Sequence, residues 1–452
     1  MLDILIKNGR YADFDEGRLA CGDIGVKDGK IAAVGEVDEP ALKVIDASGK
    51  IVSTGFVDIH MHEECFDEEG YDIALRMLRM GVTSCVAGNC GGQRQSVARF
   101  REAIESRGGA PVNYLLLAGY NAARHAVGGL ARYAPADGAT VERIAAHIKS
   151  EIEAGASGMS FGVEYDPAIT EEEIIRAINA QERRGIFVSM HYRGDDKDAI
   201  DSINEMIRIA RSTGARFQIS HLSSCSATGQ MEESLALINR AKAENPLLNY
   251  DTYPYNASCT SIGSACFDGD SFQERQAKNV EVLVVSGAHA GEVCDRALFE
   301  ELRANEPGTL VAAFSMRERE ISMAIENPYC GMVASDGILK RGNGHPRAAG
   351  TFARVLAKYV REEGVLSMMG ALRKISAVPA ARIGLSNKTR LAIGYDADIV
   401  VFDPEKVRDN ATFMASNLPP EGFTAVIVNG ALAVENDAVI NARAGRFVQS
   451  LG

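Results

Sequence analysis

The sequence predicts an α/β fold: a TIM-type (β/α)8 barrel, a small β-sandwich domain built from both chain ends, and an insertion between the seventh and eighth barrel strands. Three observations predict it. Between residues 54 and 385, short apolar runs of strand character alternate with helical patterns, which implies parallel βα units. The two chain ends instead alternate apolar and polar residues around glycine-containing turns, as half-buried strands do. Residues 257–330 are too many for an ordinary βα connection.

The elements follow in order. Residues 1–53 carry "DILIKNGRYAD", "GDIGVKDGKIAAVGE" and "KVIDASGKIVSTG", read as the N-terminal part of the sandwich. Residues 54–385 hold eight buried-looking runs: "GFVDIH", "TSCVAG", "NYLLLAG", "GMSFG", "IFVSMH", "RFQISH", "NYDTYPY" and "GMVASD". Helical patterns lie between them, among them Glu171–Arg184 and Asp198–Thr213. Residues 257–330 form the insertion, expected over the barrel mouth. Residues 386–452, with "ADIVVFDP", "AVIVNGALAVE" and "AVINARAGRFV", return to the sandwich.

Composition narrows the function. The 452-residue chain is 46% hydrophobic and carries a formal net charge of −13, an ordinary soluble balance that argues against nucleic acid or an anionic membrane as partner. The expected partner is a small molecule; oligomeric state is not readable. No apolar run is long enough to span a membrane, and the alternating N-terminus lacks a signal peptide's features. Nine cysteines without tight spacing point to reduced thiols in a cytoplasm.

Active sites of such barrels lie at the C-terminal ends of the strands. The first run ends at His60, the fifth at His191, the sixth at His221 and the eighth at Asp336, while Cys90 follows the second run in "GNCGG". His60 and His62, two apart, can face the same side of a strand end. Imidazole, thiolate and carboxylate together suit zinc. Each residue also has a plainer reading: a satisfied histidine, a small buried cysteine, or, for Asp336, a helix cap before Gly337.

The motifs "GFVDIHMHEE", "GNCG", "HYRGD", "ISHL", "YPYNAS", "ASDG" and "HPRAAGTFARVLAKYVRE" together resemble the N-acyl-D-amino-acid deacylases (D-aminoacylases) of the amidohydrolase superfamily. The resemblance implies zinc-dependent hydrolysis of the amide of an N-acyl-D-amino acid or D-configured dipeptide. By the same likeness, Cys90, His191 and His221 hold a tight zinc, and His60, His62 and Asp336 form a second, weaker position. Asp336 resembles the general base, Tyr165 the donor to the substrate carbonyl, and Arg347 the group that grips a carboxylate. Tyr253, Tyr255 and Arg193 are further candidates for touching substrate. Arg347 could instead form a surface ion pair, and Tyr165 could be a packing residue.

The chain departs from the family pattern at Ser223, where a lysine is common, and at Tyr120 and Asn121, where "GH" is common. The missing cation speaks against an acyl-D-glutamate or acyl-D-aspartate preference; Arg193 could compensate. Two alternatives stand beside the deacylase: opening of a cyclic amide of the hydantoin or dihydroorotate type, and a non-catalytic metal-binding barrel.

Overall fold

The computed structural model describes residues 1–66, 70–329 and 331–450. Its eight barrel strands coincide with the eight apolar runs. They are Phe56–Asp58, Val82–Ala87, Asn113–Leu116 continued by Ala118–Gly119, Gly158–Gly162, Phe187–His191, Arg216–Ile219, Asn249–Thr252 and Met332–Val333. Each pairs in parallel with the next. A parallel bridge between Met61 and Gly337 joins the eighth back to the first, so the pairing runs in a ring. Helices cover the outer face, which is why both faces of these strands are buried and why the runs are continuous rather than alternating.

The junction of first and eighth strands bears on the site. Buried Asp58 accepts hydrogen bonds from the amides of His60 (3.2 Å) and Ser335 (3.0 Å), and from the Ser335 hydroxyl. The Asp336 amide donates to the His60 carbonyl at 2.8 Å. One carboxylate thus ties the HxH segment to the segment carrying Asp336. Burial lifts the Asp58 carboxyl to about 6, against these hydrogen bonds.

The chain ends form one hydrogen-bonded sheet of nine strands, not two separate sheets as a sandwich would have. Leu2–Asp13 pairs in parallel with Ala41–Asp46 along its first half and with Ile51–Thr54 at Arg10 and Tyr11. Ile51–Thr54 then pairs antiparallel with Ile399–Phe402 of the C-terminal segment. The sheet's halves still share a core, including Ile4, Ile24, Val52, Ile399 and Ile427.

Between the seventh and eighth strands, Ser258–Ser261, Val282–Val284 and Leu310–Ala313 make a small antiparallel sheet. The helices Ser271–Ala277 and Arg296–Asn305 pack on it, with the Phe272 and Phe299 rings stacked 3.9 Å apart. The inserted unit is shorter than expected: Glu318–Glu326 is a helix that packs back on the barrel helix Met231–Glu244. Cys330, at the expected boundary, and residues 451–452, at the expected end of the last segment, lie outside the described residues.

The two singled-out helices differ from expectation mainly at their ends. Thr170 caps the first by accepting the Glu173 amide at 3.1 Å, and the helix stops at Asn179 rather than Arg184. The second runs Ala199–Thr213 and ends on Gly214, whose φ of +60° suits glycine. Among the described residues, no helix is long and apolar enough to cross a membrane.

Candidate metal centre

The strand ends bring the six expected donors together. Cys90 Sγ lies 3.4 Å from His60 Nε2 and 3.6 Å from His221 Nε2. Asp336 Oδ1 lies 3.0 Å from His62 Nε2 and 3.4 Å from His60 Nε2. The His191 and His221 rings are 4.6 Å apart. In each of the two triads Cys90/His60/His221 and His60/His62/Asp336, the donor atoms lie within 4.8 Å of one another.

Three of these residues have left-handed backbones: Cys90 (φ +51°), His221 (φ +33°) and Asp336 (φ +50°). Non-glycine residues rarely adopt this region, and such strain gathers at functional sites. Around Cys90 the chain must pass close to its neighbours. A Cβ on Gly91 (φ +74°) would meet Asn121 Oδ1 at 1.9 Å, and one on Gly162 would meet the Cys90 carbonyl at 2.2 Å. This is the physical reason for glycine at position 91, directly after Cys90.

Each histidine turns one nitrogen to a polar group away from the centre, that of His60 in a charge contact rather than a hydrogen bond. His60 Nδ1 faces Asp251 Oδ1 at 3.3 Å, and His62 Nδ1 faces Glu64 Oε1 at 3.2 Å. His191 Nε2 faces Glu164 Oε2 at 2.7 Å, and His221 Nδ1 faces Ser224 Oγ at 2.7 Å. Such outer partners fix tautomer and ring orientation. They leave Nε2 of His60, His62 and His221, and Nδ1 of His191, for the centre. His191 Nδ1 is buried and has no hydrogen-bond partner, which calls for an explanation in any folded protein. A cation supplies one. Thiolate, imidazole and carboxylate are the mixed donors zinc takes, so the residues present fit that ion.

The electrostatics agree. Burial pushes the Cys90 thiol up, but the His60 charge and the neighbouring rings of His191, His221 and His60 outweigh it and hold the thiol well below its usual range. Burial likewise opposes ionisation of Asp336, yet Arg347, His221 and His60 keep it well below the carboxylate range.

Tyr165 stands beside this centre, its ring 4.6 Å from that of His191, and borders a cavity of about 640 Å³ that opens over Cys90 and Asp336. Arg347 is buried, not on the surface. It donates from Nε to the Asp336 carbonyl at 2.6 Å and pairs through Nη2 with Asp336 Oδ2 at 2.9 Å. Its Nη1 and the hydroxyl of Tyr253, over whose ring the guanidinium lies at 4.5 Å, are both buried without hydrogen-bond partners.

Two expected substrate contacts are corrected. Arg193 clasps Glu205 through Nε and Nη2, at 2.9 and 2.6 Å, and donates to the carbonyls of Pro167 and Ile169. Its guanidinium ties the loop after the fourth strand to the helix after the fifth, so it does not replace the missing lysine. Tyr255 turns away from the centre: its hydroxyl faces Asp409 Oδ2 at 3.4 Å, with Arg354 stacked on its ring at 4.8 Å. At Ser223, the hydroxyl is buried without a partner. Sequence reasoning missed Asp251, Glu164 and Ser224. The one available signal was an acid inside the apolar run "NYDTYPY".

The ring of parallel strands, with its mixed donors gathered at one end, defines the class as a metal-dependent amidohydrolase. The Amidohydrolase family model matches residues 324–434. An N-acyl-D-glutamate deacylase of Alcaligenes xylosoxydans xylosoxydans is 30% identical over 485 aligned residues, covering 99% of this chain and 96% of its own. Among solved structures, an N-acyl-D-glutamate deacylase of Bordetella bronchiseptica, complexed with zinc and a phosphonate mimic of the tetrahedral intermediate, matches with a TM-score of 0.89. It is 28% identical, over 99% of this chain and 100% of that one. A D-aminoacylase described as having a binuclear metal centre, with one-metal activation and second-metal attenuation, matches with a TM-score of 0.88. It is 27% identical over 99% of each chain. This chain belongs to the N-acyl-D-amino-acid deacylase (D-aminoacylase) family of the amidohydrolase superfamily.

Proposed function

We propose that the protein hydrolyses the amide bond of an N-acyl-D-amino acid, with zinc as cofactor, releasing a carboxylate and the free D-amino acid. The observation that carries this reading is the meeting of Cys90, His191 and His221 with His60, His62 and Asp336, in a chain aligned over nearly its whole length with D-specific deacylases. Cys90, His191 and His221 are assigned to the tight zinc, and His60, His62 and Asp336 to the weaker position.

Zinc held by these residues would lower the pKa of water and polarise the substrate carbonyl. The side chains do the rest. Asp336, kept ionised by Arg347, takes the proton of the attacking water and delivers it to the leaving nitrogen. Tyr165 donates to the carbonyl oxygen as negative charge develops on it, an interaction of the kind worth about 10²–10³ in rate. The unpartnered Arg347 Nη1 and Tyr253 hydroxyl are a ready pair of donors for the substrate carboxylate.

The same assignment places the catalytic barrel at 54–385, with chain ends 1–53 and 386–452 as its companion domain. Eight described cysteines, all free, suit the cytoplasm as the enzyme's location. The test is a panel of N-acetyl-D- and N-acetyl-L-amino acids, hydantoins and dihydroorotate, run with zinc added and read by amine release or ring opening. Turnover confined to D-acyl compounds supports the proposal. Turnover of a ring but of no D-acyl compound replaces it with cyclic-amide hydrolysis.

A further inference from the structure

The cavity over the metal centre has a second lobe. It measures about 590 Å³ beside the first lobe's 640 Å³, and Gln93, Arg94, Tyr165, Ser261 and Gly308 border both. Asp336 lines the first lobe and not the second, Arg347 and Tyr253 line neither, and Cys90 and Tyr165 line both. This argument rests on the deacylase reading above. With the substrate carboxylate at Arg347 and Tyr253, and the scissile carbonyl at Tyr165, the acyl group extends past Tyr165 into this lobe. A space of this size falls in the range of about 300–1,000 Å³ that holds whole small ligands, far more than the methyl of an acetyl group needs.

Two arginines border this lobe, in a chain that carries 61 acidic and 48 basic residues. Arg94, Arg132 and His125 line it. Its one acid, Asp166, is already engaged by Asn121 Nδ2 at 2.8 Å and His125 Nε2 at 3.0 Å. Arg132 shares Asp268 with Arg303. Arg94 differs from both arginines. Four residues after Cys90, exposed at the junction of the lobes, it has no carboxylate partner among the described residues, and its one contact is a 4.0 Å approach to Cys65 Sγ.

We infer that the second lobe is an acyl subsite selecting acyl groups that end in a carboxylate, with Arg94 as the anion's partner. The substrates are then half-amides of a short dicarboxylic acid with a D-amino acid. Hydrolysis breaks the C–N bond, adds the water's hydroxyl to the acyl carbon and its proton to nitrogen, and yields the dicarboxylic acid and the free D-amino acid.

The experiment compares kcat/KM of the zinc-loaded enzyme on N-acetyl, N-succinyl and N-(4-methylpentanoyl) derivatives of one D-amino acid. The last matches succinyl in shape but lacks its charge. Succinyl is expected to exceed the neutral isostere about tenfold, the size of one charge-assisted hydrogen bond. That margin should shrink in about 0.5 M salt, which screens exposed charges. It should collapse toward one in Arg94→Gln and persist in Arg94→Lys. Equal rates for the two long acyl groups, or a margin that survives both salt and Arg94→Gln, would overturn the subsite while the acetyl rate still upholds the deacylase. Should no acyl-D-amino acid be hydrolysed at all, the deacylase reading itself fails and the subsite with it. The salt arm uses the unmodified enzyme, so the test stands even if Arg94→Gln does not fold.

Discussion

Asp251 is the residue whose replacement tests the centre most sharply. It is buried, and both of its oxygens accept from N–H donors: Oδ1 from the His221 amide at 2.8 Å and Oδ2 from Gln218 Nε2 at 3.0 Å. Oδ1 also faces His60 Nδ1 at 3.3 Å. In Asp251→Asn the new NH2 group must point at one of these donors. It cannot be accommodated on the Gln218 side by turning that amide over, because Gln218 Oε1 already accepts from Arg382 Nε at 3.3 Å. Either orientation therefore buries two facing donors, a cost of about 1–3 kcal/mol. It also removes the charge that holds His60 with Nε2 toward the centre. Loss of such an outer partner typically lowers metal affinity about 10- to 100-fold. Because Asp251 also holds the amide of His221, a ligand of the tight zinc, the expected result is zinc affinity reduced by that factor, kcat reduced in step, and partial recovery of rate in excess zinc. Chelator competition measures the affinity, and a zinc titration of kcat measures the recovery. Wild-type affinity and rate in Asp251→Asn would refute the claim that Asp251 orients His60.

Other substitutions separate the remaining roles. Asp336→Asn should cut kcat about 10²–10⁴-fold, the usual share of a general base, while zinc analysis still finds the metal held by Cys90, His191 and His221. Cys90→Ala should lose that zinc outright; full occupancy by elemental analysis would show the ligand assignment to be wrong. Arg193→Ala should leave KM unaltered but lower Tm, since it strands buried Glu205 and frees the carbonyls of Pro167 and Ile169. Lys388→Ala should destabilise the protein by about 3–5 kcal/mol in denaturant titration, because it leaves the buried Asp398 carboxylate without its cation.

What the sequence revealed follows from where its physics is local. All eight barrel strands were legible because a strand buried on both faces must be apolar throughout, and none of the runs was spurious. That the six candidate donors lie close together was legible from the strand ends, where a parallel barrel places its chemistry, and for Cys90 mainly from the family resemblance. The outer partners were not. Glu164 touches His191 across 27 residues, and Asp251 touches His60 from the seventh strand, remote in sequence. Each is a single polar residue that no periodicity marks. Arg193 and Tyr255 misled for one shared reason. Both lie two residues beyond a site residue, and the strands end before them, at His191 and Thr252. Past those points, the chain turns Arg193 toward the helix carrying Glu205 and Tyr255 toward Asp409.

The strain at Cys90, His221 and Asp336 ties the fold to the chemistry. A non-glycine residue in the left-handed region costs on the order of 1 kcal/mol or more, and three of them stand within one centre. Rigid surroundings are needed to hold such backbones, and this fold supplies them: Asp251 grips the His221 amide, Asp58 and His60 fix the turn before Asp336, and Asn121 meets the amide and carbonyl of Gly162 beneath Cys90. The polar residues that seemed incidental in apolar runs are the ones that hold these turns. The donors therefore converge through the protein's own hydrogen bonds, and an incoming ion meets a set of ligands already oriented toward it.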